Sequence, residues 1–453
     1  MQSPIPWVVS KVAFPIYHWI KRDGVLRAIS ELESSQWKSP QELYSLQAEK
    51  LVRLLEHCER NVPYYSRLFA DLGLKASDLV DYRKFTEIPP LTKTLINAHR
   101  DSLCASGSLG KDLVRNTTSG STGESLVFFN DRESIRQRQA VVVRNQKWVG
   151  ALYSDREARL WGAQMDLDKL LDWRGRLHGF IHNTIQLSSY EMSNGSMEKY
   201  AEILNRFRPK LLISYPSPLA LFARFLIERD IRIPSIRSII TSAEMLHGWQ
   251  REVIVEAFAC PVFDRYGCRE FGNIAHECEQ HEGYHVNVER VFLEILDDNG
   301  MPVEPGQTGK LYVTDLDNRG FPFLRYEIGD LAVASNRLCS CGRGLPLIEK
   351  FEGRSFDIIR CPNGNRVAGT FWTICLRRFD GVVRFQVVQE ALDALLIRLV
   401  VDDMYKKSSE AQITAAIRAK CGVEMRIRYE YVDRIETTRN GKERIVLSRL
   451  QEV

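Results

Sequence analysis

Two stretches concentrate side chains that could do chemistry. The first is Asn116-Thr117-Thr118-Ser119-Gly120-Ser121-Thr122-Gly123-Glu124. Its two glycines let the backbone turn tightly and approach a ligand, and its run of hydroxyls with exposed backbone N–H groups can surround phosphate oxygens. It is not a Walker loop, because no Gly-Lys-Ser/Thr end follows. The alternative is an ordinary Ser/Gly-rich surface turn. The second is Cys278-x6-His285 followed by Cys339-Ser340-Cys341-Gly342. Three thiols and an imidazole suit a tetrahedral Zn²⁺, and the Cys-x-Cys turn offers two thiolates from one loop. Four protein ligands would close the site, making it structural rather than catalytic. His276 and His281 compete with His285 for the fourth position, and unrelated free thiols are the competing reading.

The elements that must position such groups are clearest between 196 and 270. Ser196 can cap a helix running to about Arg206, which Pro209 ends. Leu211 to Ser214 reads as a buried strand, and Ser217 begins a second helix. Ile236 to Ile240 reads as a strand, 246–259 as a helix, and Pro261 to Asp264 leads into a third strand. This alternation predicts a parallel sheet with right-handed crossovers. Ligands of such sheets bind outside the carboxyl ends of the strands. The loops there are Tyr215-Pro216-Ser217, Thr241-Ser242-Ala243-Glu244 and Tyr266-Gly267-Cys268-Arg269-Glu270.

Upstream, 42–58 reads as an amphipathic helix stopping at Val62-Pro63. Beyond 284 the texture changes to strands at 286–296, 309–316 and 321–328, separated by turns and expected to pair antiparallel. From Gly353 to Asp357 the chain leads into about a hundred residues with strands at 382–389, 394–401 and 424–432 and a helix near 409–420. The expected organisation is a large domain over 1–352 and a small α+β domain over 353–453, hinged near 353–357.

Composition bounds the rest. The chain has 453 residues, 44% hydrophobic and 26% charged, with a net charge of +4. That length exceeds one ordinary core. The charge is too small, and too evenly spread, to indicate a nucleic-acid partner. Ten cysteines are scattered along the chain, and no signal peptide is visible, so a cytoplasmic location with free thiols is expected. Nothing reaches the roughly 18 to 20 apolar residues needed to span a bilayer. The aromatic-rich start, residues 6–22, either packs on the large domain or touches a membrane surface weakly.

Set in order, these pieces resemble the adenylate-forming superfamily of acyl-CoA synthetases, luciferases and peptide-synthetase adenylation domains. The loop at 116–124 is similar to its phosphate-binding signature, with Glu124-Ser125 where Pro-Lys commonly stands. The phenylacetate–CoA ligase branch shares that departure. Thr241-Ser242-Ala243-Glu244 is similar to the loop flanking adenine. Tyr266-Gly267-Cys268-Arg269-Glu270 resembles the Tyr-Gly-x-x-Glu motif, whose ring stacks on adenine and whose carboxylate holds Mg²⁺. Arg325-Tyr326-Glu327-Ile328-Gly329-Asp330 resembles the motif whose Asp accepts the ribose hydroxyls. Gly353-Arg354 resembles the hinge pair, with Phe356 where the usual Asp stands and Asp357 next. Thr438-Arg439-Asn440-Gly441-Lys442 is similar to the loop carrying the adenylation lysine. Residues 49–67 also resemble the start of phenylacetate–CoA ligases and of CapK-type proteins of capsule biosynthesis.

The resemblance implies an α/β fold: a large adenylate-forming domain with parallel sheets and an antiparallel section, plus a small α+β domain. It implies ATP and Mg²⁺, with Thr117, Thr118, Ser119, Gly120, Ser121, Thr122 and Gly123 on phosphate and Ser242, Ala243, Glu244, Tyr266 and Gly267 around adenine. Asp330 and Arg354 would orient the ribose, Glu270 would hold the metal, and Lys442 would act on the reacting groups. A carboxylic acid becomes an acyl-adenylate, which passes to a thiol such as coenzyme A or to an amine in surface-polysaccharide assembly. A nucleotide-binding protein without catalysis is the reading from another class, and the acidic Glu270 and basic Lys442 argue against it.

Overall fold

In a computed structural model, the structure describes residues 24–107, 112–118, 126–153, 155–161, 183–189, 192–354, 359–363, 366–367, 371–372, 375–376, 379–435 and 445–450. The expectation for residues 6–22 lies outside them. No helix among the described residues is long and apolar enough to cross a membrane.

The chain enters through α1 (Val25–Ser35) and α2 (Pro40–Asn61). The latter begins two residues earlier than periodicity predicts, because Ser39 and Glu42 form a capping box. Ser39 N–H donates to Glu42 (2.9 Å), Glu42 N–H donates to Ser39 Oγ (3.3 Å), and Pro40 takes the first helical position. A hairpin of β1 (Val114–Thr118) and β2 (Leu126–Asn130) follows, then α3 (Arg132–Trp148).

Parallel strands then alternate with helices: β3 (Glu157–Trp161), β4 (Thr184–Ser188), α4 (Asn194–Phe207), β5 (Leu211–Ser214), α5 (Pro216–Glu228), β6 (Ser238–Ser242), α6 (Gly248–Phe258) and β7 (Val262–Cys268). The cap of α4 is Ser193, not Ser196. Ser193 Oγ accepts from the Ser196 N–H at 3.3 Å, so Ser196 already lies in the first turn. The antiparallel part comprises β8 (Gly272–Glu277), β9 (Tyr284–Val286), β10 (Val291–Leu296), β11 (Thr308–Asp315), β12 (Tyr326–Ala334) and β13 (Leu347–Arg354).

Among the described residues these form one continuous sheet of eleven strands, in the order β10-β11-β12-β13-β9-β8-β7-β6-β5-β3-β4. Strands β4, β3, β5, β6 and β7 run parallel; from β7 through β8 to β10 each neighbour is antiparallel. The predicted strand over 321–328 is displaced to 326–334. Phe321, Phe323 and Leu324 are fully buried, so their apolar run reflects a loop turned into the core. Arg325 then breaks the extended path at φ 49°. Its buried guanidinium holds that turn, donating to Glu294 (3.1 Å) and to the carbonyls of Thr86 and Ile88 (2.6 Å each).

Helices α4, α5 and α6 cover one face of the parallel strands with Leu204, Leu219, Phe222, Leu226 and Ile254. The opposite face carries Leu211, Ile213, Ile240 and Phe263 beside Val149 and Ala151. Helix α3 is pinned by Arg144, fully buried, which donates to Glu289 (2.6 Å) and Asn287 (2.6 Å). Removing one partner of such a pair costs about 3–5 kcal/mol, because the other charge is left buried alone.

The C-terminal part has its own core, gathering Ile359, Trp372, Val387, Ile397, Ile413, Ile417 and Val446. Short β14 (Ile359–Arg360) and β15 (Arg366–Val367) pair with each other. Strands β16 (Val382–Ala391), β17 (Ala394–Val401), β18 (Arg426–Tyr431) and β19 (Val446–Ser448) form a sheet in the order β18-β17-β16-β19, beside α7 (Ser409–Cys421).

Candidate nucleotide site and metal cluster

The predicted loops stand at the carboxyl ends of the parallel strands. Ser242 closes β6, and Ala243 follows in the left-handed region at φ 68°. A residue with a Cβ is costly there, and such strain concentrates at functional sites. Glu244 reaches across to accept the Ser217 N–H (3.1 Å) at the start of α5. That helix has no side-chain cap from its own segment, so a carboxylate from the next loop serves its N-terminus. Ser242 Oγ donates to the Arg265 carbonyl (3.0 Å), fastening the ends of β6 and β7.

Tyr266 and Gly267 sit near the end of β7, where the β7–β8 register shifts between them. A Cβ on Gly267 would fall 2.2 Å from the Gly272 carbonyl oxygen, so the tight hairpin demands glycine. The Tyr266 hydroxyl donates to Asp330 Oδ2 at 2.5 Å. The ring stacks on Phe351, centroids 3.7 Å apart and planes 15° apart. Asp330 lies on β12 opposite Arg354 on β13; the Arg354 side chain is outside the described part. Glu270 is buried, and its Oε1 accepts from the Tyr326 hydroxyl (3.3 Å). Arg138 braces this turn by donating to the carbonyls of Arg269 (3.1 Å) and Glu270.

Thr117 and Thr118 end β1. Thr118 Oγ1 accepts from the Leu126 N–H (3.3 Å), joining the two feet of the loop, and Arg269 donates to the Thr117 carbonyl (3.4 Å). Ser119, Gly120, Ser121, Thr122 and Gly123 lie outside the described residues, as does Lys442. The structure thus brings Thr117, Tyr266, Glu270 and Asp330 into one linked group through Arg269, Tyr326 and β12. Sequence reasoning missed Tyr326, Phe351 and Arg138. Tyr326 lay inside a motif read for Asp330, whereas nothing in the sequence marks Phe351.

Farther along the sheet, Cys278, His285, Cys339 and Cys341 present donor atoms within 4.8 Å of one another. Cys278 Sγ lies 3.6 Å from Cys339 Sγ, and Cys341 Sγ lies 3.4 Å from His285 Nε2. The other ring nitrogen, His285 Nδ1, faces the Leu345 carbonyl at 3.2 Å. Donation there fixes the tautomer that leaves Nε2 for a ligand. Burial pushes the imidazole down to about 4, so it is neutral at neutral pH. His276 turns its Nδ1 to the Glu277 carbonyl (2.6 Å), and His281 stacks on Phe263 and meets Glu277. The fourth donor is therefore His285. Backbone N–H groups of Gln280 and Arg343 point at the sulfurs of Cys278 and Cys341 (3.5 Å each). None of the ten cysteines forms a disulfide.

The fold is that of the adenylate-forming CoA ligases. It matches 2-hydroxyisobutyryl-CoA ligase, solved in the postadenylation state with an acyl-AMP, with a TM-score of 0.70 at 18% identity over 89% of this chain and 88% of that one. It also matches the amide bond synthetase McbA from Marinactinospora thermotolerans, with a TM-score of 0.54 at 17% identity over 74% and 67%. In sequence the chain is homologous to CapK and to phenylacetate–coenzyme A ligases. It is 23% identical to protein CapK of Staphylococcus aureus over 417 residues, 90% of each chain. It is 25% identical to the phenylacetate–coenzyme A ligase of Thermus thermophilus over 325 residues, 70% of this chain and 72% of that protein. Residues 359–449 match the family described as the CapK C-terminal domain.

Proposed function

We propose that the chain adenylates a carboxylic acid with ATP and passes the acyl group to coenzyme A. The observation that carries this is the 2.5 Å bond between Tyr266 and Asp330. It sets an aromatic face and a carboxylate side by side at the carboxyl end of β7. A base stacked on Tyr266 takes the place that Phe351 holds, and its ribose then meets Asp330, with Arg354 opposite. Ser242, Ala243, Glu244 and Gly267 border the base. Thr117 to Gly123 cradle the phosphates, whose Mg²⁺ Glu270 would hold; that cation supplies charge neutralisation on leaving pyrophosphate.

The reaction is an in-line displacement. A carboxylate oxygen attacks the α-phosphorus while the bond to the β-phosphate oxygen breaks and pyrophosphate leaves. Lys442 offsets charge at the α-phosphate, a task of positioning and electrostatics. The thiol sulfur then attacks the acyl carbon and AMP leaves. Residues 353–453 act as the mobile domain that delivers and withdraws Lys442. An amine acceptor is the second reading, favoured by the likeness of fold to the amide bond synthetase McbA. The test is acid-dependent ATP–pyrophosphate exchange in the wild type and in Lys442→Ala, followed by thiol and amine acceptors. Exchange lost in the variant supports adenylation. ATP binding without exchange for any acid turns the reading toward a nucleotide-binding protein.

The cysteine–histidine cluster fits a structural Zn²⁺. Tetrahedral bonds of about 2.3 Å to sulfur and about 2.0 Å to nitrogen place sulfurs about 3.8 Å apart and sulfur about 3.5 Å from nitrogen. The Cys278–Cys339 and Cys341–His285 separations, 3.6 and 3.4 Å, lie close to these values, and all four donors lie within 4.8 Å of one another.

A further inference from the structure

The turn that carries Glu270, residues 269–271, is gripped by two arginines. Arg138 on α3 donates to the carbonyls of Arg269 (3.1 Å) and Glu270, and Arg290 donates to the carbonyl of Phe271 (2.9 Å). Three consecutive carbonyls thus accept from guanidinium groups, and such charge-assisted bonds are about twice as strong as neutral ones. The stem of Arg138 also packs beside the next residue, Gly272, where a Cβ would meet its Cγ at 3.4 Å. Both arginines converge on one acid. Asp315, fully buried at the end of β11, lies 3.5 Å from Arg138 and 3.6 Å from Arg290. Arg290 is itself fully buried and reaches Asp317 at 3.2 Å, which Lys50 of α2 meets at 2.9 Å. Burial pulls the Arg138 guanidinium down and Asp315 pushes it back up.

Helix α3 is already pinned by Arg144 on Glu289 and Asn287, so this second set bears on the turn rather than on the helix. From the other side, the Glu270 side chain accepts from Tyr326 (3.3 Å), and Arg269 ties the turn to the Thr117 carbonyl (3.4 Å) at the foot of the phosphate loop. The Glu270 carboxylate and the hydroxyls of Thr117 and Thr118 are hard oxygen donors, which suit Mg²⁺. A carboxylate that meets a phosphate-bound cation has to be held to within about 0.5 Å by its supports. We propose that Arg138 is a positioning residue for the cation: by fixing the main chain of residues 269 and 270 it sets where the Glu270 carboxylate stands, and Asp315 in turn sets Arg138. This rests on the adenylation reading, in which Glu270 holds the Mg²⁺ of ATP.

The test is calorimetric binding of ATP to the full chain, with Mg²⁺ and with EDTA in its place. The ratio of the two affinities measures the coupling of cation to nucleotide, and in the wild type Mg²⁺ is expected to tighten ATP binding about tenfold or more. Lysine keeps a charge beside Asp315 but cannot fork onto two carbonyls. In Arg138→Lys that factor is therefore expected to fall toward one, while binding in EDTA and the melting temperature stay with the wild type. Glu270→Gln should lower the factor too, and adding Arg138→Lys should lower it no further, because both act on one carboxylate. An unchanged factor in Arg138→Lys and in Arg138→Gln, with both chains folded, overturns the proposal. So does an equal loss of binding with Mg²⁺ and with EDTA, which a merely structural arginine would give, and so does a further loss in the double variant. If Mg²⁺ does not tighten ATP binding in the wild type, the proposal falls as well. A factor that depends on Arg138 and Glu270, without pyrophosphate exchange for any acid, keeps the positioning role and sinks adenylation. Exchange in the wild type, with the factor unchanged in Arg138→Lys, keeps adenylation and sinks the positioning role.

Discussion

The cysteine–histidine cluster and the nucleotide face lie on the same sheet but are built by opposite rules. In the cluster, four donors come from two short segments, Cys278 to His285 and Cys339 to Cys341; the N–H groups of Gln280 and Arg343 meet the sulfurs of Cys278 and Cys341 from two residues away, and the Leu345 carbonyl meets His285. At the nucleotide face, Thr117, Tyr266 and Asp330 come from three separate strands, and Lys442 comes from beyond residue 435. A structural site gains from being closed and rigid. A site that must admit ATP, then an acid, then an acceptor gains from parts that can separate. Damage should follow the same division: the cluster should fail in folding, the face in chemistry.

The largest effect is expected at the cluster. If the cluster holds zinc as proposed, Cys341→Ser removes one of its four ligands, and loss of a structural metal belongs to the few mechanisms that cost more than about 4 kcal/mol. Denaturant midpoints should fall together with zinc content measured by elemental analysis. A zinc-free wild type with the same midpoint would end the comparison. Next comes Lys442→Ala. Removing one group that stabilises developing charge lowers exchange about 10²–10³-fold, or about 2.7–4 kcal/mol. Its midpoint should stay with the wild type, which separates the two regions.

How far each region was legible follows from the same difference. Cys-x-Cys with an upstream Cys and His is visible because its ligands lie close in sequence, although choosing His285 over His276 and His281 needed the placement of each ring. The strand–helix alternation from 211 to 268 was visible because buried parallel strands are apolar runs. Strands β8 and β9 were not, since Gly272-Asn-Ile-Ala-His-Glu is buried on both faces and shows no alternation. Phe321 to Leu324 misled for the reverse reason: an apolar loop turned inward looks like a strand. Phe351 acts through a contact made across the fold, with Tyr266, and no local pattern encodes it; Glu244 was legible as part of the loop 241–244, but its bond to the Ser217 N–H was not.

Strand β7 runs between the two regions, and Asp264 on it offers a pH test. Its carboxylate accepts from Thr241 (2.7 Å) and Tyr284 (2.8 Å). Burial nevertheless raises it to about 6, helped by the nearby Glu277 charge. An Asp of the unfolded chain titrates near 3.9. The folded state therefore holds this proton more tightly. Asp264 adds stability that is complete below about pH 4 and lost as pH rises to about 6. Measured against Asp264→Asn, the wild-type midpoint should drop across that window, by at most about 3 kcal/mol. A flat difference would place Asp264 outside the shared support of the two regions.

The smallest expected effect is the most local. Tyr266→Phe keeps the ring and its stacking on Phe351 but removes the hydroxyl that donates to Asp330. If Asp330 grips the ribose, that donor holds the carboxylate in place, and its loss should raise the KM for ATP about tenfold, or about 1.4 kcal/mol. The stability should move by no more than about 0.5 kcal/mol. Repeating the measurement with 2′-deoxy-ATP completes a cycle, because the variant and the missing hydroxyl then act on one carboxylate and their costs should not add. Additive costs would mean that Asp330 and the ribose are independent. The hydroxyl of Tyr266 would then serve the packing of β7 against β12, as the Leu345 carbonyl serves the placement of His285 in the cysteine–histidine cluster.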